Sequence, residues 1–389
     1  MSEEVVLPIP NLSVPQYVFI LSSPSLSHLH AESQKELIEA ITKDEMTPYY
    51  TSISALLPSD PVLLEKLQEQ NKKSLDAIDE KLKKAEEMEG ETEISDALRE
   101  RANFLTKIGE KEKATEAQKL ALEKTPGLGS RIDIALTLVR IGLFWLDREL
   151  IGWGLEKAET LINEGGDWDR RNRLKVYKGL HLLSIRQFSR ASGLLLDAIS
   201  TFTATELLSY NDFVALTVIS SALTLSRVDL KKKLISSPEV ISVLPDIPTL
   251  GELVSSLYEC HYDKFFRALA TLEQTHLIPS RFLNPHARFY TREMRVLAYK
   301  QLLQSYKSLT LDSMATAFGV RADFVDNELA RFISSGRLNA SIDRVNRIVE
   351  TSRDSDNPTL GLKASAADVV IKQGDLVLAS AGRLSRVLG

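Results

Sequence analysis

Apolar residues recur three and four positions apart along most of the chain, the spacing of one face of an α-helix. A highly charged stretch at residues 61–88 shows this spacing most clearly. Its apolar face consists of Leu75, Ile78, Leu82 and Ala85. The stretch therefore predicts an amphipathic helix with a narrow docking stripe. A coiled coil is the alternative, because a narrow apolar seam is also typical of that structure.

From Asp96 onward, small and large apolar residues follow the rhythm of tetratricopeptide-type helix pairs. Small residues let the two helices of a pair approach each other, and Pro126 ends the first pair. The rhythm set by Ala114 returns around Ala158 and Ala191, at unequal intervals. Because a single pair cannot bury its apolar stripe, stacked pairs are expected to share one continuous core. Any array of antiparallel helical hairpins would show a similar pattern.

The two ends of this helical region are less regular. Residues 1–24 are rich in proline and serine, so we expect an irregular arm, with helical sequence beginning near Ser27. Three prolines break residues 230–249 into short pieces: Pro238, Pro245 and Pro248. Further helices are predicted at residues 210–225, 251–260, 262–276 and 286–307.

The pattern changes again after residue 307. Thr310 can cap a short helix, Gly319 supplies a tight turn, and a second helix follows at residues 321–335. Three apolar residues then alternate with polar ones, as in a strand: Leu338, Ala340 and Ile342. A turn and a second candidate strand at 347–351 complete a β-hairpin, and no earlier segment sustains such alternation. Helix, turn, helix and hairpin in this order predict a winged helix.

A last helix is predicted beyond the polar spacer at residues 352–358. Its apolar seam, with members three and four residues apart, consists of Ala367, Val370, Gly374, Val377, Ala381, Leu384 and Leu388. Most of these residues are small, and a glycine costs about 1 kcal/mol relative to alanine inside a helix. Such a helix would be marginal alone, so we expect helices of other chains to complete its packing.

Composition narrows the class of partner. With 48 Lys and Arg against 53 Asp and Glu, the net charge of −5 argues against a broad basic face for nucleic acid. The single cysteine excludes an internal disulfide and fits a reducing compartment. Arg140 interrupts the apolar stretch at residues 134–146, and the N-terminus lacks the basic region of a signal peptide. We therefore expect the chain in the cytoplasm and nucleus, without a membrane partner.

The winged helix could in principle read DNA through its second helix. That helix carries Arg321 and Arg331 against three carboxylates, which are Asp323, Asp326 and Glu328. The wing adds basic character through Arg337, Arg344 and Arg347. Because the reading helix is acidic overall, the pattern favours a protein-docking winged helix over a nucleic-acid-binding adaptor.

Motifs for chemistry are weak. His28 and His30 supply only two of the three ligands that a catalytic zinc ion needs, so we expect surface histidines. Cys260 and His261 are adjacent, and neighbouring residues of a helix do not face each other. We expect Cys260 to be a buried helix residue.

Phosphate-binding motifs are similarly incomplete. The pair Gly127 and Gly129 lacks the rest of a dinucleotide fingerprint. Gly165 and Gly166 precede a segment of mixed charge, which predicts a loop before a helix, with an anion site as the alternative. No catalytic, cofactor-binding or metal-binding residue is predicted, and no cofactor.

Several stretches closely resemble the PCI-domain family of non-ATPase regulatory subunit 6, from the lid of the proteasome regulatory particle. The most specific stretch is residues 165–180, GGDWDRRNRLKVYKGL. Shorter matching stretches are 200–203, 257–260, 292–295, 308–311, 317–320, 328–333, 336–338, 348–351, 374–376 and 384–387. The resemblance runs from about Asp96 to the C-terminus, whereas the N-terminal region matches only in helical character and charge.

This resemblance implies a TPR-like helical-repeat solenoid followed by a PCI module, which is a helical bundle capped by a winged helix, and then a C-terminal helix. The corresponding segments are 1–95 for the arm and charged helices, 96–205 for the repeats, 206–307 for the bundle, 308–352 for the winged helix and 353–389 for the last helix. The family's C-terminal helices gather into a shared bundle, which would give the last helix its packing partners.

The implied role is a non-catalytic scaffold whose partners are other PCI subunits of the lid, deubiquitinase-containing lid subunits and the proteasome base. The alternative is the related PCI subunit of the signalosome, a deneddylation complex. The candidate interface residues lie in the wing and in the last helix, and they are Leu338, Ala340, Ile342, Val370, Val377, Leu384 and Leu388.

Overall fold

The computed structural model describes residues 6–54, 56–57, 60–88 and 90–351. Across these residues the fold is mainly α-helical with one small sheet, as predicted. The chain divides into two compact units, of which the first comprises residues up to 254 together with 271–288. Among the described residues, the second comprises 255–270 and 289–351. The finer division into five segments stays a prediction.

Four helices open the first unit: α1 (Ser13–Ser22), α2 (His30–Asp44), α3 (Thr47–Ser52) and α4 (Pro61–Glu87). The expected irregular arm is therefore wrong for the residues of α1. Pro15 lies in the first turn of this helix, where a missing N–H costs no hydrogen bond. Val14 is fully buried in one cluster with Leu37 and Ile41 of α2. Packing against α2 thus holds a proline-containing helix that its own composition did not predict.

The helix predicted in the charged stretch is confirmed as α4. Its first turn is capped by Asp60, whose Oδ1 accepts hydrogen bonds from the N–H groups of Val62 and Leu63 at 3.1 and 3.2 Å. Only a narrow stripe of it is buried, consisting of Leu67, Asn71, Ile78 and Ala85. Of the four predicted stripe residues, Ile78 and Ala85 are therefore buried, whereas Leu75 and Leu82 are half-buried. This helix packs beside α5 (Glu91–Lys107), as expected of a docking stripe.

Helical hairpins follow, as the repeat pattern predicted. After α5 come α6 (Lys111–Lys124), α7 (Leu128–Trp145), α8 (Arg148–Gly165), α9 (Trp168–Ser184) and α10 (Phe188–Ala198). The hairpins are α5–α6, α7–α8 and α9–α10, and each also packs on the helix that follows it. Ala114, Ala158 and Ala191 lie in the second helix of successive hairpins, each no more than 2% exposed. Ala114 and Ala191 are each the fourth residue of their helix, whereas Ala158 is the eleventh residue of α8, so only the first two occupy equivalent positions.

Glycines bring the helices of two hairpins very close together. A Cβ atom on Gly142 of α7 would lie 2.7 Å from Cγ1 of Ile151 in α8. In the opposite direction, a Cβ atom on Gly154 of α8 would lie 2.7 Å from Cγ2 of Val139 in α7. Gly179 of α9 allows a similar approach to α10. Since real Cβ atoms do not approach to such distances, the α7–α8 pair requires glycine at both positions.

A polar clasp ties α1 to distant parts of the first unit. The side chain of Gln16 donates to the carbonyl of Pro279 at 2.6 Å and accepts from the N–H of Arg281 at 2.9 Å. The guanidinium of Arg281 in turn donates to the carbonyls of Leu143 and Phe144, at 3.3 and 2.7 Å, at the end of α7. These carbonyls have no acceptor role within the helix, so Arg281 satisfies groups that the helix end leaves open.

The rest of the first unit contains α11 (Tyr210–Thr224), α12 (Arg227–Leu230) and α13 (Pro238–Val243). The next two helices, α14 (Pro248–Glu259) and α15 (Tyr262–Leu272), cross the division between the units. Pro238 and Pro248 each begin a helix, so the predicted break of residues 230–249 into short pieces is confirmed.

The second unit contains α16 (Ala287–Ser305) from Phe289 onward, α17 (Leu311–Phe318) and α18 (Ala322–Ser334). Its strands are β1 (Ser308–Thr310), β2 (Ala340–Asp343) and β3 (Ile348–Thr351). They form an antiparallel sheet in the order β1-β3-β2, with Val349 opposite both Leu309 and Ile342. The strand β1 was not predicted, because three residues are too few to show alternation.

The predicted helix beyond the polar spacer lies outside the described residues. The same is true of four candidate interface residues: Val370, Val377, Leu384 and Leu388.

The close approach of α7 and α8 leads to a stability prediction. In the Gly142→Ala variant the new methyl group meets the side chain and the backbone nitrogen of Ile151, at 2.7 and 3.0 Å. Overpacking typically destabilises the fold by about 1–3 kcal/mol. The higher helix propensity of alanine stabilises it by about 1 kcal/mol. We expect a net loss of roughly 1 kcal/mol in the free energy of unfolding, measured by urea denaturation.

Gly152→Ala is the matched control, because Gly152 lies in the same hairpin with open space around the added Cβ atom. This variant should gain up to about 1 kcal/mol from helix propensity alone. Equal stabilisation by both substitutions would contradict the proposed requirement for glycine at position 142.

Candidate protein-interaction surface

An aromatic cluster packs the first helix of the winged helix against α15 and α16. The ring of Phe318, at the end of α17, lies 4.9, 4.8 and 4.6 Å from the ring centroids of Tyr262, Phe266 and Tyr299. These partners come from α15 and α16, so one side chain joins three helices. Phe318 is 1% exposed, and the hydrophobic gain from burying such a ring is about 1.5–3 kcal/mol.

Two local signals in the sequence set the turn of this motif, and both predictions are confirmed. Oγ1 of Thr310 accepts a hydrogen bond from the N–H of Ser313 at 3.2 Å and caps α17. Gly319 ends α17 with a φ of +63°, a left-handed conformation that glycine adopts without strain. A Cβ atom there would also lie 3.3 Å from that of Asp263. The two helices therefore meet at a fixed, tight turn.

One carboxylate predicted for the reading helix turns inward. Glu328 of α18 is 8% exposed, and it accepts a hydrogen bond from the hydroxyl of Tyr299 at 3.3 Å. Its Oε1 atom lies 3.2 Å from the guanidinium of Arg295. Burial raises the pKa of Glu328, while Arg295 acts in the opposite direction. This charge therefore pins α18 to α16 and does not face the solvent.

Ion pairs also involve the basic residues of the wing. Arg344 pairs with Asp326 at 3.5 Å, and Arg347 pairs with Asp312 at 3.2 Å. Arg337 pairs with Glu293 of α16. Phosphate contacts by these arginines would compete with carboxylates already beside them, which disfavours nucleic-acid binding.

The structure separates the three candidate interface residues of the wing. Leu338 and Ala340 are 3% and 9% exposed, so their side chains are covered within this chain. Ile342 is half-buried on β2. Within the described residues β2 pairs only with β3, so it forms one edge of the sheet. An interface at this place stays a prediction, and it would use Ile342 and the backbone edge of β2.

Two exposed apolar residues nearby escaped the sequence analysis. Val345, at the tip of the wing, is 91% exposed, and Phe324 on α18 is 40% exposed. Oδ1 of Asp343 accepts the N–H groups of Val345 and Asn346 at 2.9 and 3.1 Å, which fixes the turn that presents Val345. The sequence did contain a signal for an exposed apolar residue, because Val345 lies in a turn of otherwise polar residues.

The two histidines that were considered as zinc ligands, His28 and His30, lie in different surroundings. His28 is exposed, and Nε2 of His30 lies 3.1 Å from the carbonyl oxygen of Ser23. Among the described residues, no three His, Cys, Asp or Glu side chains are placed to hold a metal ion.

Cys260 does not fit its prediction. It is half-buried and lies just beyond the end of α14, with a φ of +64°, so the expectation of a buried helix residue is wrong. Its sulfur accepts a hydrogen bond from Nε2 of Gln301 at 3.0 Å. The imidazole of His261 instead lies 3.1 Å from a carboxylate oxygen of Glu259. The thiol and the imidazole thus have different partners.

The double glycine before α9 forms the predicted loop. Gly165 ends α8, and Oδ1 of Asp167 caps α9 by accepting the N–H of Arg170 at 2.9 Å. The guanidinium of Arg170 lies 2.6 Å from carboxylate oxygens of both Asp133 and Asp167. These carboxylates, Asp133 above all, raise the pKa of Arg170. Two carboxylates already occupy the guanidinium, so the alternative of an anion site gains no support.

The helices of the described residues were also compared with the requirements of a membrane span. None of them is both long and apolar enough to cross a membrane.

Comparison with known proteins identifies the family. The family model of the 26S proteasome subunit RPN7 matches residues 60–233, and that of the PCI domain matches residues 263–353. The 26S proteasome non-ATPase regulatory subunit 6 homolog of Arabidopsis thaliana is 41% identical over 97% of each chain. The corresponding protein of Dictyostelium discoideum is 40% identical over 99% of each chain.

A third relative extends the comparison to fungi. The 26S proteasome regulatory subunit rpn7 of Schizosaccharomyces pombe is 41% identical over 95% of this chain and 94% of its own. Identity at this level over almost the whole length includes both the helical hairpins and the winged helix. The chain therefore belongs to the family of 26S proteasome non-ATPase regulatory subunit 6, also named Rpn7, and it carries the PCI domain of that family.

Proposed function

We propose that this chain is a non-catalytic scaffold subunit of the lid of the proteasome regulatory particle. In this role it supports ATP-dependent degradation of ubiquitinated proteins by holding neighbouring subunits in fixed orientations. The observation that carries the proposal is the identity of about 40% with proteasome regulatory subunits along nearly the full chain. Fold alone would not separate the complexes that contain PCI subunits.

The architecture suits a mechanical role. Helical hairpins that pack through glycine contacts are rigid, since closely packed interiors transmit displacement and do not absorb it. Ion pairs within the second unit join α18 and the following segment to α16, and the wing to α17. This leaves the edge of β2 and the exposed residues Phe324 and Val345 as contact surfaces for other proteins.

The partners we propose are other PCI subunits of the lid, the deubiquitinase-containing lid subunits and the proteasome base. An edge-to-edge contact of winged helices would use backbone hydrogen bonds for register and apolar side chains for affinity. We place the chain in the cytoplasm and nucleus together with the particle. Neither nucleic acid nor a membrane has a part in this proposal, and no cofactor is required.

Affinity purification of the tagged chain under mild conditions tests the proposal directly. We expect to recover lid, base and core subunits of the proteasome together with ATP-dependent peptidase activity. Recovery of cullins and signalosome subunits without peptidase activity would instead assign the chain to the related deneddylation complex. An untagged extract processed in parallel controls for subunits that bind the resin.

Ile342→Glu should weaken the attachment of this subunit to its neighbour. A charged side chain on β2 would be buried without a partner in an edge contact, which typically costs several kcal/mol. We expect at least a tenfold lower yield of assembled lid, measured by native gel and mass spectrometry after co-purification. Normal assembly at wild-type yield would show that the edge of β2 is not an essential contact.

Thr316→Glu is the matched control, because Thr316 is exposed on α17 and lies outside the sheet. Both purified variants should retain the thermal unfolding midpoint of the wild type to within a few degrees. A loss of assembly in Ile342→Glu alone, with both folds intact, would assign the defect to the edge strand.

Removal of the residues after Pro358 tests the predicted last helix. If the small-residue seam is completed by helices of other chains, the truncated chain should fold normally but enter the complex poorly. The measurement is circular dichroism of the purified chain, followed by its incorporation into the lid in cells. Incorporation equal to that of the full-length chain would contradict the prediction that the last helix is needed for assembly.

A further inference from the structure

A groove opens on the first unit, lined by residues that precede the winged helix in sequence. Its main part is a cavity of about 560 Å³ between residues 8–16, the loop 205–209, α11 and residues 275–283. A second cavity of about 270 Å³ continues it towards residues 246–249. The two cavities share four lining residues: Asp212, Ala215, Thr275 and His276. They therefore adjoin each other and form one continuous groove.

The floor of the groove is apolar. Leu207, Ile219 and Leu283 line it and are each no more than 5% exposed. Ala215 lies where the two cavities join and is 6% exposed. A floor of this kind binds aliphatic side chains by removing their surface from water.

The rim of the groove is acidic. Asp212 and Asp246 are both exposed, and Glu206 lies buried deeper, where it accepts the hydroxyl of Tyr177 at 2.9 Å. Among the described residues that line the two cavities there is no lysine or arginine. Burial lowers the pKa of His276, although Asp212 opposes this shift, so the imidazole adds little positive charge at neutral pH.

One wall of the groove is held in place before any ligand binds. Gln16 lines the groove and is fixed by its two hydrogen bonds to the backbone of Pro279 and Arg281, at 2.6 and 2.9 Å. Arg281 is itself anchored on the end of α7. A preformed wall lowers the ordering cost of binding, as in other binding sites that exist without their ligand.

We propose that this groove binds an extended segment of a partner protein in which arginine or lysine alternates with leucine, isoleucine or valine. The aliphatic side chains would enter the apolar floor, and the cations would lie beside the exposed carboxylates of Asp212 and Asp246. A groove that continues from one cavity into a second favours an extended peptide over a compact small molecule, and the acidic rim disfavours a nucleic acid. The groove shares no residue with the edge of β2, and this proposal does not depend on the proposed place in the lid.

The probe is a fluorescein-labelled nonapeptide of alternating arginine and leucine, titrated with the purified full-length chain and followed by fluorescence anisotropy. We expect saturable binding that weakens as salt is added, because the rim charges are exposed. Two further peptides separate the contributions of charge and apolar surface. The glutamate–leucine peptide should not bind, and the arginine–serine peptide should bind at least about tenfold more weakly.

Replacement of Asp212 and Asp246 by asparagine should weaken binding of the arginine–leucine peptide about tenfold. Asp229→Asn is the matched control for Asp212. Ser209 and Asp212 are linked at a helix start by a side-chain contact of 2.6 Å, and Ser226 and Asp229 form the same contact at 2.8 Å outside the groove. The control should bind the peptide like the wild type. Weaker binding by Asp229→Asn would show that loss of such a helix cap is sufficient to reduce the affinity.

The Thr275→Arg variant is a second test of the proposal, because Thr275 is exposed and lines both cavities. A cation at this position should abolish binding, whereas Gln274→Arg, on the neighbouring exposed position, should not. Equal binding by all variants, or by the arginine–serine peptide, would overturn the proposal. Binding that appears only after removal of residues 359–389 would mean that the chain's own tail occupies the groove, which would also overturn it.

Discussion

The distance between the two helices of a hairpin is the constraint on which the first unit depends. In α7–α8, Gly142 faces Ile151 and Gly154 faces Val139, so each helix contributes one glycine and one branched side chain to the same contact. The absence of a side chain on one helix makes room for the side chain of the other. This reciprocal fit brings the backbones close and buries large aliphatic residues, as the packing density of protein interiors requires.

Close pairing within hairpins determines what lies between them. Once two helices share a small-residue contact, their larger apolar residues point towards the preceding and following hairpins, and α7 is buried along most of its length. The clasp of Gln16 and Arg281 then joins the two ends of the first unit in sequence, because it connects α1, the end of α7 and residue 279. The acidic groove exists because this clasp holds residues 8–16 beside α11.

The parts of the fold that sequence could predict are those whose stabilising contacts are local. The helix α4, the cap at Thr310 and the turn at Gly319 depend on residues within a few positions, and each forms as expected. The helix α1 and the strand β1 were missed because distant partners hold them. A helix that contains Pro15 is stabilised by α2, and β1 exists only through its pairing with β3. Neither partner is visible in local spacing.

The candidate interface shows the same limit at the level of single side chains. Alternation identified Leu338, Ala340 and Ile342 as one face of a strand, but it cannot tell whether that face meets the chain's own core or a partner. The core covers Leu338 and Ala340. The charge balance of the winged helix has a similar limit, because it does not tell which charges pair within the chain. Glu328 is buried beside Arg295 of α16, and each wing arginine lies beside another carboxylate.

That mutual pairing decides what kind of surface the winged helix presents. A winged helix that reads DNA keeps cations free for phosphates on the reading helix and the wing. Here the wing arginines, Arg337, Arg344 and Arg347, each lie beside a carboxylate of the same unit. On the reading helix Arg321 and Arg331 are exposed, but the acidic residues of that helix outnumber them. The exposed features that this leaves at the wing are the strand edge of β2 and the apolar residue Val345. A backbone edge beside an apolar residue is a surface that pairs with another protein and has little to offer a polyanion. Internal charge pairing thus explains how a fold shared with DNA-binding proteins serves a subunit of a protein assembly.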